Sequence, residues 1–435
     1  MTQKLGRNRY RRELVAELDA LFPPSLFRGL PRHGNEDWDP RKVVWMSLIM
    51  FWLPGKTLEE PFSAARRIVK FIRPQWTVPI SHSAFVAAQI RSWPLIQWLL
   101  VSRLRPDASV GGSWRVLGWL LLAVDGSRFE CPRTTSNEEG LGCAGRDKTA
   151  PQIFHTMLQH VGTGLPWDFR LGPGTDSERR HLEEMLAELP ENTLLTADAG
   201  FISYQLCLLL IEAKQGFLLR IGGNKTLIEG LDENETRENI VSFWPDKEQS
   251  GPPLKLRKIC FRSKSGLPVV LVTNILDTTI LSDEDAQELY KSRWGIEVYF
   301  RHLKQTMDFK TLKSRTPATA LNEHAWRMIS FWALQRIVVN HQIAAGQNPR
   351  RFSAASARRE IRDVLQLMQQ AKSGKSLAKR FLTSQIDNYK RKGQKTTRAW
   401  ARKKNDKPPK PPKTRTATKR EIQKAKQLGF KTLLI

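Results

Sequence analysis

The sequence predicts an α/β fold: a mixed sheet with helices on its faces, a helical region before it, a β-rich insertion within it and a basic tail after it. Three observations predict this. Short apolar runs such as Trp119–Val124 and Leu194–Ala197 each end at an aspartate, which suits buried strands. Beyond the first of them helix and strand patterns alternate, the order expected of a sheet with helices on its faces. Further on, Leu254–Phe261 and Pro268–Asn274 flank Ser263-Lys264-Ser265-Gly266, a hairpin signal.

Residues 1–108 read as a helical N-terminal region. Arg11–Leu21 is amphipathic, Lys42–Phe51 carries apolar residues at helical spacing, and Pro61–Phe71 and His82–Leu104 are further helices, with breaks expected at Pro74, Pro79 and Pro94. Arg66, Arg67, Lys70 and Arg73 interleave charge into it, so it is a candidate small DNA-binding domain and equally a packed cap with a wet basic face. Residues 109–221 form the first part of the α/β core. Its strands are Trp119–Val124, Phe129–Cys131, Ile153–Val161, Leu194–Ala197 and Gly216–Ile221. Its helices are Asp176–Leu189, with Asp176 or Ser177 as N-cap, and Phe201–Lys214. Residues 222–282 are the β-rich insertion. Residues 283–345 return to the core: Ser282 caps a helix whose first turn holds Asp283, Glu284 and Asp285, favourable to its dipole, and which is expected to run to Met307. An apolar helix follows at Ala320–Ala344. Residues 346–435 form a basic tail of helical and disordered character.

The net charge of +27 and pI of about 10.2 point to a polyanionic partner, with nucleic acid first and an acidic membrane surface second. From Lys390 to Ile435 there are 17 lysines and arginines against two acids, Asp406 and Glu421, so more than half of the excess charge sits in the last tenth of the chain. Lys407–Lys413, KPPKPPK, predicts an extended polyproline-like linker. The tail is therefore expected to be mobile without DNA and to add sequence-independent affinity through counterion release. Cys131, Cys143, Cys207 and Cys260 form no CxxC pair, which argues against a zinc ribbon and for a reducing, intracellular setting. The charged N-terminus has no apolar h-region behind it, and the longest apolar stretch, Val116–Val124, falls far short of a membrane span.

Chemistry concentrates at two places. On the helix 283–307, Tyr290, Arg293, Glu297 and Lys304 fall within roughly 60° of arc at about 100° per residue. A carboxylate takes a metal ion, while a guanidinium, an amine and a phenol grip phosphate oxygens. Alone, that stripe is equally a solvated face with an Arg293–Glu297 ion pair. The second place is the pair of strand-end aspartates, Asp125 after LLLAV and Asp198 after LLTA. The rim of a sheet at its strands' carboxyl ends is where sites in α/β proteins gather. Each aspartate alone would pass as a turn or cap; two of them with an acidic helix face in one α/β unit would not. His155 and His160 show no metal-like pairing, and Gly222-Gly223-Asn224-Lys225 lacks the frame of a phosphate loop.

The order strand Asp, later strand Asp, β-insertion and helical Glu resembles the DDE transposases with an RNase H-like core. Tyr290-x2-Arg293-x3-Glu297-x6-Lys304 looks like the Y-R-E-K signature of their insertion-sequence-4 type, and VDGSRFECPRT (124–134) and TADAGF (196–201) are similar to the blocks around the family's first and second aspartates. The resemblance covers about residues 115–335.

It implies a bacterial, cytoplasmic, nucleoid-associated enzyme with no membrane partner. Such an enzyme cuts DNA at transposon terminal inverted repeats and joins the ends to target DNA. It implies Asp125, Asp198 and Glu297 as catalytic residues and ligands of two Mg2+ or Mn2+ ions, with Asp125 bridging both. Tyr290, Arg293 and Lys304 become DNA-phosphate ligands near a hairpin bend, and synapsis of two ends implies a homodimer on DNA. Trp244, the sole Trp of residues 222–282, is then the candidate to stack on a displaced base, against simple packing beside Pro245. Two rivals share the core: an RNase H-like nuclease that cuts without joining, against which the insertion argues, and an inactive DNA-binding derivative, against which the intact signature argues.

Overall fold

The computed structural model describes residues 2–31, 37–143, 150–263, 266–370, 374–387 and 410–433. The chain divides into two compact units. One holds Met1–Trp114, Gly126–Glu178 and Gly295–Ile386; the other holds Arg115–Asp125, Arg179–Trp294 and Asp387–Ile435.

In the first unit the N-terminal helices are α1 (Thr2–Leu21), α2 (Pro40–Trp52), α3 (Glu59–Ile72) and α4 (His82–Leu104). Local chemistry starts them: Asp39 accepts from the Lys42 backbone N–H ahead of α2, with Pro40 at the first helical position, and Ser81 accepts from Ala84 ahead of α4. Pro94 lies inside α4 and does not end it, contrary to the expected break. The carbonyl it deprives of a donor belongs to Ile90, on the helix's exposed side, where water can serve it.

Helix α5 (Thr135–Leu141) follows β1 (Leu120–Glu130), and α9 (Trp294–Arg301), α10 (Pro317–Ala344), α11 (Ala354–Gln369) and α12 (Leu377–Leu382) complete the unit's helices. Helix α10 is buried on every side from Ala325 to Val339, the pattern of a central core helix. It is tied to α2 and α4 by polar bonds as well as packing. Trp52 donates its indole N–H to the Ser330 carbonyl (2.8 Å), and Gln89 bridges Asn322 (3.1 Å) and the Ser47 hydroxyl (2.7 Å).

The unit's strands are Gly126–Glu130 of β1, β2 (Gln152–His160) and β3 (Leu165–Pro173), in the order β1-β2-β3, with β2 and β3 antiparallel. Strand β3 was not expected. Its buried Asp168 breaks the apolar pattern, but Arg105 and Arg170 each hold that carboxylate at 2.9 Å. Likewise the polar DGSR stretch suggests a gap between two strands, whereas β1 runs through it unbroken.

The second unit holds Leu120–Asp125 of β1, most of α6 (Glu178–Leu186), β4 (Thr193–Ala197), α7 (Tyr204–Glu212), β5 (Gly216–Arg220), β6 (Thr226–Glu229), β7 (Ile240–Phe243), β8 (Leu254–Arg262), β9 (Pro268–Thr273), α8 (Asp283–Ser292), β10 (Lys413–Thr416) and α13 (Lys419–Leu428). Its strand order is β10-β6-β7-β8-β9-β5-β4-β1. Strands β1, β4 and β5 run parallel; β5, β9, β8, β7 and β6 alternate; β10 runs parallel to β6. Residues 222–282 thus extend the sheet through the antiparallel β5–β9 pair.

Two expectations change here, and of the two readings of Trp244 the structure supports packing. Helix α8 stops at Ser292, and a π-helical turn at His302–Thr306 follows α9, so 283–307 is not one continuous helix. Trp244 is 1% exposed, with its indole N–H on the Gly251 carbonyl at 2.9 Å, so it is a packing residue and not a free stacking platform. Residues 413–428 of the tail form β10 and α13 instead of a mobile chain, while residues 388–409, with the first three of the KPPKPPK segment, lie outside the described residues.

Candidate active site

The register of the parallel strands places the two aspartates. In β1 and β4, Leu120 sits beside Thr193 and the pairing runs to Ala123 beside Thr196. The same offset, carried two residues on, sets Asp125 beside Asp198. In β4 and β5, Ala197 sits beside Leu219, so the next step sets Arg220 beside Asp198. Register partners on neighbouring strands, about 4.8 Å apart, project to the same side of a sheet. Asp125 lies mid-strand in β1, just beyond the stretch that pairs with β4, and not at the strand end expected for it. Asp198 follows the last residue of β4 and Arg220 is the last of β5, so the register continued at the same offset lines the three up across adjacent parallel strands, and all three are half-buried.

Asp198 is fixed locally. Its Oδ1 accepts from the Gly200 backbone N–H at 2.8 Å, and the Gly200 carbonyl in turn accepts from the Arg179 guanidinium at 2.7 and 2.9 Å. Tyr290, at the end of α8, belongs to the same neighbourhood. Burial holds its phenol above the ordinary value of 10, with Arg293 and Arg220 pulling it down and Asp198 pushing it up. At neutral pH its hydroxyl is therefore a donor. The Arg293 guanidinium lies over the Tyr290 ring, 5.6 Å from its centroid. Asp198, Tyr290, Arg293 and the unanticipated Arg220 thus share one electrostatic environment in the second unit.

Glu297 and Lys304 belong to the first unit. Glu297 sits half-buried on α9. Lys304 lies in the π-helical turn, its amine 5.0 Å from the Phe129 ring centroid. Phe129 is itself packed on His324, whose imidazole burial keeps neutral by pushing its pKa well below 6.5. In the same unit Gly126 has no room for a side chain. A Cβ there would lie 2.9 Å from two ring carbons of Phe154 and 3.1 Å from Oε2 of Glu178. Glu178 lies in the first turn of α6, as expected, and its carboxylate also lies against the residue that follows Asp125. Among the described residues, no group of three His, Cys, Asp or Glu side chains is placed to hold a metal ion. His160 hydrogen-bonds Thr163 Oγ1 (2.8 Å) and the Trp114 carbonyl (2.9 Å), and burial lowers its pKa to about 4. All four cysteines are free.

Residues 120–333 match the family model described as the transposase DDE domain. Over 386 residues the chain is 23% identical to the transposase InsG for insertion sequence element IS4 of Escherichia coli (strain K12), covering 84% of this chain and 86% of that protein. It is 26% identical over 162 residues to a putative transposase for insertion sequence element IS4SA of Synechocystis sp., covering 35% of this chain and 44% of that one. Among solved structures, the cryo-EM structure of a piggyBac transposase synaptic complex with hairpin DNA aligns with 91% of this chain and 89% of its own, at 12% identity and a TM-score of 0.43. No helix among the described residues is long and apolar enough to cross a membrane.

Proposed function

We propose that this chain, a DDE transposase of the IS4 family and so an enzyme of DNA cleavage and strand transfer, uses Asp125, Asp198 and Glu297 as its catalytic carboxylates. The observation that carries the reading is the β1–β4 register, which runs to Ala123 beside Thr196 and, continued at the same offset, brings Asp125 level with Asp198 where that parallel pairing ends. The order β1-β2-β3 in one unit and β5-β4-β1 in the other, with β1, β4 and β5 parallel and β2 antiparallel to β3, supports an RNase H-like core.

DDE transposases generally use divalent metal ions. Carboxylates are hard oxygen donors suited to Mg2+ or Mn2+, and the three named here would hold two such ions. When bound, the ions activate the attacking oxygen and stabilise the departing one. The chain's other groups position DNA. Arg293 offers a planar fork to a phosphate, Tyr290 a neutral hydroxyl donor and Lys304 a point charge. Arg220 adds a cation beside Asp198 that both offsets carboxylate repulsion and draws a phosphate toward the strand ends. Water attacks the phosphodiester at a transposon end and the bond to the 3′ oxygen breaks. The freed 3′-OH then attacks a target phosphodiester. Joining two ends calls for a second copy of the chain on DNA, and residues 1–108 are the candidate end-binding region.

The test incubates the full chain with duplexes carrying the inverted repeats that flank its gene, in Mg2+. Nicking at the repeat boundary followed by joined products is expected, with both lost in Glu297→Ala and DNA binding kept. A Glu297→Ala protein that cleaves at the normal rate overturns the assignment.

A further inference from the structure

Helix α13 presents an unusual solvent face. At about 100° per residue, its buried Ala425 points opposite a broad arc that holds, in angular order, Lys419, Gln423, Gln427, Arg420 and Lys424. All five are exposed, and the arc contains no acid. The two glutamines lie at its centre, with cations on both sides. The helix's single acid, Glu421, is turned inward. Its carboxylate accepts from the Arg415 guanidinium (2.8 Å to one oxygen), and from the backbone N–H and hydroxyl of Thr418 (both 2.9 Å).

The helix is also firmly seated on its own unit. The Arg415–Glu421 pair joins it to β10, which pairs with β6 from Lys413 to Thr416. Lys426 bonds Glu233, and Lys431 exchanges backbone hydrogen bonds with Pro253 (3.0 Å) and Lys255 (2.8 Å) just beyond the helix. A solubilising tail needs none of this anchoring. A group that must meet a partner at a fixed orientation does.

We infer that α13 is a base-reading helix, which lays its Lys419/Gln423/Gln427/Arg420/Lys424 face in the major groove of duplex DNA. A helix is about 10–12 Å across and the major groove about 12 Å wide. Glutamine pairs bidentately with adenine N6 and N7, and arginine or lysine with guanine O6 and N7. Cations at the edges of the arc meet the phosphates flanking the groove, which fix register and carry no sequence information. Three cations and no acid are complementary to that polyanion. The inference rests on the transposase reading only in taking DNA as the partner. It assigns sequence recognition to a segment that charge alone would make a non-specific anchor.

The test uses the full chain in EDTA with a pool of duplexes of random interior sequence, selected by binding and then sequenced. The wild type is expected to enrich a motif and to prefer it over shuffled duplex in competition. Gln423→Ala/Gln427→Ala should lose an adenine preference at one or two positions, with discrimination falling roughly tenfold per lost bidentate pair and shuffled-duplex affinity within about twofold. Lys419→Ala/Arg420→Ala/Lys424→Ala should weaken both duplexes alike and make the salt slope shallower by about 2 to 3. Alanine is the best helix former, so unchanged thermal melts are expected for both. A glutamine variant that enriches the same motif with unchanged discrimination overturns the inference, as does a wild type that enriches none. Metal-dependent nicking, measured separately on the wild type, reports on the transposase reading whichever way the motif falls.

Discussion

If Asp125 and Asp198 are register neighbours, each should pay an electrostatic cost in the metal-free protein that a test can read. Strands about 4.8 Å apart put the two carboxylates roughly 5–6 Å from one another. At an effective dielectric of about 20 their repulsion is about 3 kcal/mol. Both residues are half-buried, so solvent screening should leave on the order of 1 kcal/mol. Asp198→Asn removes the charge while keeping the Oδ1 that accepts from Gly200. In EDTA the variant should melt about 2–4 °C higher than the wild type. In Mg2+ the order should reverse, because the wild type gains stability by binding the ion and the variant does not. In Mg2+, where the wild type nicks, nicking should be lost. Arg220→Met supplies the opposite sign: removing the cation beside Asp198 should lower the metal-free melting temperature. Differential scanning calorimetry at low ionic strength, with and without Mg2+, checks the three melting outcomes, and a nicking assay in Mg2+ checks the loss of cleavage. An Asp198→Asn protein that melts below the wild type in EDTA, or that keeps a full Mg2+ response, would refute the register argument.

Three further outcomes are expected. Gly126→Ala should cost about 1–3 kcal/mol by denaturant unfolding, because the new methyl meets the Phe154 ring at 2.9 Å, and Phe154→Leu in the same chain should restore most of it. Trp244→Ala should cost about 3–5 kcal/mol and lower every DNA activity in step with the folded fraction; a stable variant defective in one reaction step alone would contradict a packing role. His341 is held above its ordinary pKa of 6.5 first by its hydrogen bond to Glu17, with burial opposing. A raised folded pKa stabilises fully below the unfolded value and loses that contribution as pH rises through the folded one. Going from pH 6 to pH 8 should therefore cost the wild type stability that His341→Gln does not lose, and parallel melting curves for the two would exclude the linkage.

Most of the regular structure was legible because local chemistry and tertiary packing agree. Ser282 caps α8 as its sequence suggests, accepting from Asp285 at 3.0 Å, and the long apolar segment near residue 320 becomes the all-round buried α10. Two of the failures, β3 and the tail, share one cause: a long-range contact satisfies what a local pattern marks as unsatisfiable. Asp168 belongs in a strand only because Arg105, 63 residues earlier, reaches its carboxylate. The tail's charge density suggests a mobile chain, yet its last part is ordered by β6, nearly 190 residues away in sequence, and by Glu421 absorbing Arg415. Composition cannot report such partners.

The candidate site shows a different limit. Placing Tyr290, Arg293, Glu297 and Lys304 on one stripe assumed a helix unbroken from 283 to 307. The hydrogen-bond ladder is interrupted at Arg293, whose backbone stays in the right-handed helical region, and the winding changes in the π-helical turn at His302–Thr306, so a spacing of about 100° per residue does not carry through to Lys304. The motif that names these residues is a spacing of chemical types along the chain and needs no continuous helix, so their role is the one proposed above. What spacing along the chain cannot name is a residue made relevant by strand register. Arg220 ends an ordinary-looking strand, GFLLR, with nothing around it to mark it. Its place beside Asp198 follows from the β4–β5 offset alone, and its influence on Tyr290 follows from that place. Spacing along the chain singles out the two aspartates because each follows an apolar run; it does not single out Arg220, because one arginine after an apolar run is common.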